Sequence, residues 1–193
     1  MIQPLHQLPS KRFIPVFFAG LGLLVTGCAS FQQQTCGQFE ENRKGTDYTT
    51  QYQLSDSDSA AAARDFKKLP RGKNVAVRLY KMRVDPPNIM PCRHLTIHKE
   101  MYLQRNIRAD QILEEVREFY TDSGVLIATK SETVGTQLRA SGYYTGEALL
   151  PIPENAPVGK YRIVSKMVMK AKNKSTATVL AKTSANFQVV PRQ

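Results

Sequence analysis

Tryptophan is absent from this 193-residue chain, and histidine appears only three times. The first absence removes one common packing anchor. The second leaves His94 and His98 as the only imidazoles beyond residue 6. No G-x-S-x-G elbow, glycine-rich phosphate loop or H-E-x-x-H pair occurs, so acyl transfer, phosphoryl transfer and zinc hydrolysis lack their usual carriers. Asp110, Glu114, Glu115, Glu118 and Asp122 gather in one stretch, but their spacing reads as the solvated face of a helix or hairpin. The expectation is a protein that is not an enzyme and needs no cofactor. Acidic residues are also short, 16 against 27 Lys and Arg, for a net charge of +11. Such a surface attracts anionic partners, and it says nothing about fold.

Long apolar runs are equally scarce. One stands out, Phe13 to Gly27, following Lys11 and Arg12 in an acid-free start. Positive, then apolar, then small is the order of an export signal, and a permanent span wants about 20 apolar residues. Val25-Thr26-Gly27-Cys28 at its end resembles the lipobox of bacterial lipoproteins. That resemblance implies cleavage before Cys28, a diacylglycerol on its sulfur and an acylated amino terminus. Acyl burial contributes about 0.8 kcal/mol per methylene, and stable anchoring takes at least two chains. Ala29 and Ser30 follow, with no inner-membrane aspartate. The resemblance therefore implies an outer membrane of a Gram-negative cell, a periplasm-facing domain and membrane lipid as the first partner. Losing Lys11 and Arg12 with the leader leaves 25 basic residues against 16 acidic.

Cys36 and Cys92 remain, in a compartment that favours disulfides. A Cys36–Cys92 bridge is expected, closing a long loop and contributing roughly 4 kcal/mol on the chain-entropy view.

Residues 28–69 are polar, with Gln32-Gln33-Gln34, alternating Ser and Asp over Ser55–Ser59 and four alanines. That composition predicts a flexible tether. A short helix over Ala60–Lys68 is the only order it suggests.

From residue 70 to 193 the period becomes two, the signature of strands. Val75, Val77 and Leu79 alternate first; Leu95, Ile97, Met101 and Leu103 follow on one side, with His94, Thr96, His98, Glu100 and Tyr102 on the other. Asp85-Pro86-Pro87-Asn88 and Pro91 break the chain between them. Residues 110–120 fit a helix through Ile112, Leu113, Val116, Phe119 and Tyr120. The turn at Thr121–Gly124 before Val125–Thr129 favours a hairpin arm instead, and strand is the preferred reading. Tyr161, Ile163, Met167 and Met169 alternate along one late strand, and Ala177 to Val189 along the last.

The sum is about seven strands, an all-β sandwich of immunoglobulin-like or transthyretin-like type. Pro153 to Ile163, a proline-rich corner with Gly159 and then Tyr161, resembles the corner entering the penultimate strand of bacterial immunoglobulin-like domains. The resemblance implies a tyrosine hydroxyl bonded back across that corner.

Two constellations remain as site candidates. Cys92-x-His94-x-x-x-His98 offers soft and imidazole ligands for copper or zinc. Residues four apart on a flat strand lie about 13 Å apart, and the disulfide claims Cys92, so His94 and His98 are weak metal ligands. The second is a row on the penultimate strand: Lys160, Arg162, Lys166 and Lys170, continued by Lys172 and Lys174 and interrupted by Val164 and Val168. It predicts a basic face with two apolar contact points, suited to an envelope protein or an anionic envelope surface. Nucleic acid is not expected, since no aromatic residues interleave the row. The resulting expectation is a non-catalytic lipoprotein whose sandwich binds a component of an assembly, secretion or appendage system; a small-ligand or metal-binding lipoprotein is the alternative.

Overall fold

Among the described residues nine strands form two packed sheets, and burial alternates along several of them. The computed structural model describes residues 34–66, 68–106, 111–171 and 176–192; the leader, Cys28, Lys172 and Lys174 lie outside them. In chain order the elements are α1 (Cys36–Lys44), β1 (Gln51–Ser55), α2 (Asp56–Phe66), β2 (Val75–Asp85), β3 (Asn88–Ile89), β4 (Arg93–Arg105), β5 (Gln111–Thr121), β6 (Leu126–Thr133), β7 (Gly142–Ile152), β8 (Gly159–Ala171) and β9 (Ala177–Val189). Residues 110–120, ambiguous in periodicity, are strand from Gln111 on.

One sheet runs β1-β7-β4-β2 and the other β3-β9-β8-β5-β6. All neighbours are antiparallel except β3, which runs parallel to β9. The chain changes sheet between β2 and β3, where the Asp85–Pro86 bond is cis. With β2, β4 and β7 in one layer and β9, β8, β5 and β6 in the other, the order is that of an immunoglobulin-like sandwich. β1 occupies the edge beside β7. The corner tyrosine is in place, its hydroxyl donating to the Pro157 carbonyl at 2.7 Å.

The tether reading fails from residue 34 onward. Gln34 to Gln193 is one compact unit. A Thr35–Gln38 capping box starts α1, and Cys36 and Phe39 bury against Cys92. The expected disulfide joins Cys36 to Cys92, with Cα atoms 5.3 Å apart. β1 then lies so close on β7 that a Cβ at Gly146 would meet the Tyr52 ring at 2.6 Å. A few buried side chains, Phe39, Tyr52 and Ala62, suffice to order a polar stretch. Among the described residues no helix is long and apolar enough to cross a membrane.

Candidate functional site

Odd-numbered residues of β4, β5 and β8 face the interior, yet the interior is not uniformly apolar. Leu95, Ile97, Ile163 and Phe187 belong to one hydrophobic cluster, and Met101, Leu103, Leu113 and Met167 to another. Between them the same strands carry Lys99, Glu115, Arg117 and Ser165, all buried. Lys99 and Glu115 form an ion pair with no exposed side-chain surface, and Arg117 pairs with Glu132 at 3.0 Å.

Hydroxyls complete this layer. The Glu115 carboxylate accepts from Lys99, Ser165, Tyr80 at 3.1 Å, Tyr52 at 2.9 Å and Thr50 at 3.0 Å. Glu132 accepts from the Thr50 amide at 3.0 Å and its hydroxyl at 2.6 Å. Burial alone would raise the Glu115 pKa, but the Lys99 charge and these donors hold it at about 2. Burial lowers Lys99 to about 8 despite the carboxylate beside it. Burial also raises Tyr52 and Tyr80 well above the ordinary phenol. The layer clamps the segment around Thr50 and Tyr52 to the sandwich; closed to solvent, it offers nothing for a substrate to reach.

The two histidines are not brought together. His98 Nδ1 lies 2.8 Å from Glu147. His94 packs on Phe39 and Tyr48 at ring distances of 4.8 and 5.6 Å, and partial burial lowers its pKa. Cys92 and Cys36 also lie near Glu154, but their sulfurs are spent in the disulfide.

The basic row divides. Val164 and Val168 are 4% and 5% exposed, so they are not contact points. They stand in register with Glu118 and Glu114 of β5, which ion-pair with Lys166 and Lys170. Lys160 and Arg162, at the start of β8, have no acidic partner among the described residues. Arg162 lies over the Tyr120 ring at 5.3 Å.

Three consecutive exposed apolar residues lie at the start of the hairpin arm expected after the Thr121–Gly124 turn. Among the described residues β6 pairs with β5 alone and forms a sheet edge. Its lower half is tied down by Lys130 to Asp47 at 2.8 Å and by Glu132 to Thr50. The upper half is open: Leu126 and Ile127 are 51% and 54% exposed, and Val125 just before the strand 58%. Across from it β1 reaches only as far as Glu147, leaving Ala148–Ile152 of β7 without a strand on that side. Between these two open edges lies an apolar groove of about 380 Å³, lined by Phe119, Ile127, Leu150, Ile152, Tyr161 and Phe187 among others. Its floor is the first hydrophobic cluster.

No family model matches the chain, and no curated protein matches it. Among solved structures it is similar to the C-terminal domain of wzt, at 8% identity and a TM-score of 0.44, covering 77% of this chain and 83% of that one. A second is an ASH/PapD-like domain of human CEP192, at 11% identity, a TM-score of 0.34, and 66% and 93% coverage. A third is a CARDB domain from Pyrococcus furiosus, at 13% identity, a TM-score of 0.32, and 61% and 87% coverage. At these scores they carry no argument about function.

Proposed function

We propose that this chain is a non-catalytic lipoprotein of the outer membrane, held by acylated Cys28, whose sandwich docks a protein of an envelope assembly. The carrying observation is the open upper half of β6 beside the apolar groove. An unpaired strand edge presents free amides and carbonyls, and proteins ordinarily blunt such edges with charge or proline. Leu126 to Thr129 has neither. A partner segment added there would continue the sheet by backbone hydrogen bonds and place alternate side chains over the groove. The contact point thus moves from Val164 and Val168 to β6.

A photo-crosslinking side chain at Ile127, in intact cells, is expected to give a discrete protein adduct that the same probe at Lys182 does not. Adding Leu126→Lys and Thr129→Lys, which charges the edge, is expected to remove it. Identical adducts from both positions, or an adduct indifferent to the lysines, overturn the docking reading. The anchor is checked separately: labelled palmitate is expected in the wild type and not in Cys28→Ser, and label retained by that variant defeats it.

A further inference from the structure

A second site lies on the outer face of the β8–β9 pair, away from the β6 edge. Lys160 stands opposite Gln188, and Arg162 opposite Asn186. Neighbouring strands lie about 4.8 Å apart and alternate residues about 6.6 Å apart, so these four side chains mark the corners of a small rectangle. None of the four makes a side-chain hydrogen bond or ion pair among the described residues. Further along β8 the cations Lys166 and Lys170 are consumed by Glu118 and Glu114. The rectangle borders a cleft of about 530 Å³, whose rim adds Thr121 and Asp122. That volume is within the range of small-molecule sites.

We propose that this cleft binds a sugar carrying an oxyanion, as phosphate or carboxylate. Lys160 and Arg162 supply donors and positive charge only, and such donors bind an oxyanion more strongly than a neutral acceptor. Arg162 is the better placed: its guanidinium lies over the Tyr120 ring at 5.3 Å, a cation–π contact that takes up none of its hydrogen-bond donors. Asn186 and Gln188 each offer a donor and an acceptor, and Asp122 an acceptor. That set matches hydroxyl groups, which both give and take hydrogen bonds. An inorganic anion uses the cations and the amide N–H groups but leaves the amide carbonyls and the Asp122 carboxylate without hydroxyl donors; a neutral sugar leaves two charges uncompensated. Only the combined ligand uses both the charge and the acceptors of the cleft.

The test is calorimetric titration of the full chain in detergent at about 0.15 M salt, where diffuse surface attraction is screened within about 8 Å. Glucose 1-phosphate and glucuronate are the probes, with glucose and inorganic phosphate as controls. Saturable binding of at least one probe, tighter than both controls, is expected. Lys160→Gln with Arg162→Gln is expected to weaken it about tenfold or more, the scale of lost charge-assisted hydrogen bonds. Asn186→Ala with Gln188→Ala is expected to bring the sugar phosphate down to the affinity of inorganic phosphate. Lys166→Gln with Lys170→Gln is expected to change nothing. Absence of saturable binding by both probes overturns the proposal. So does equal affinity for inorganic phosphate in the wild type, or equal weakening by the Lys166 and Lys170 pair. The crosslinking test at β6 uses none of these residues, so either site can fail alone.

Discussion

Two rows of charge lie back to back across the β5–β8 pair, and the sheet between them decides what each is worth. Inside are Glu115, Arg117 and Ser165, joined by Glu132 from neighbouring β6 and by Lys99 from β4 of the facing sheet. Outside are Glu114, Glu118, Lys166 and Lys170. Both rows hold carboxylates against cations at contact distance. The inner pairs have lost their water, so each ion depends wholly on protein partners, and losing one strands the other. The outer pairs keep solvent on one side, and water stands ready to replace either partner. Strand pairing alone does not distinguish the two, because adjacent residues of β5 serve opposite faces.

Removing half of an inner pair is the strongest way to break this comparison. Glu115→Gln keeps the shape but leaves Lys99 without its counter-charge, and about 3–5 kcal/mol of stability is expected to go. Lys99→Met combined with Glu115→Leu removes both ions, and recovers part of that loss because neither remains to be desolvated. Urea midpoints of the three proteins measure it. Equal losses in the single and double variants would mean that the hydroxyl donors of Tyr52, Tyr80 and Ser165, rather than the ion pair, set the energy.

Acid probes the same carboxylate without mutation. The folded-state pKa of Glu115, about 2, lies below its ordinary value of 4.5. A depressed carboxylate contributes stability that is complete above the unfolded value and is lost as pH falls from about 4.5 toward 2. The linked loss is about 3 kcal/mol. Wild type is therefore expected to lose that increment between pH 7 and pH 2, while Glu115→Gln loses correspondingly less. Parallel pH curves for the two proteins would assign the acid sensitivity to other carboxylates.

How much of this was legible in the sequence follows from the same geometry. Period two exposes the strands, the inward set Leu95, Ile97, Met101 and Leu103, and the corner Tyr161, because each depends on local alternation. Lys99 sits in the midst of that inward set and was the available sign of a polar layer, since an inward lysine requires a buried partner. Glu115 and Arg117 were harder to place: a helical reading puts them on a solvated face with Glu114 and Glu118, and only the strand reading separates them. The ordering of residues 34–66 depends on distant partners: Cys36 announces its bridge to Cys92, but nothing within a polar segment announces Glu115 and Glu132. The open half of β6 was illegible for the opposite reason, since its exposure follows from its place at the end of its sheet, which no local pattern of residues reports.

The outer row supplies the smallest effect and the sharpest control. Lys166→Gln removes the partner of Glu118, which also accepts from Tyr120 at 2.7 Å. A change of about 1 kcal/mol or less is expected, as for other solvent-facing pairs. Salt separates it from the interior: at about 1 M the screening length falls to about 3 Å, so the difference between Lys166→Gln and wild type should shrink toward zero. The difference between Glu115→Gln and wild type should stay, because ions in solution do not reach a pair sealed between two sheets. If both differences shrink together, the inner layer is hydrated through an opening, and it becomes a reachable polar site rather than a clamp.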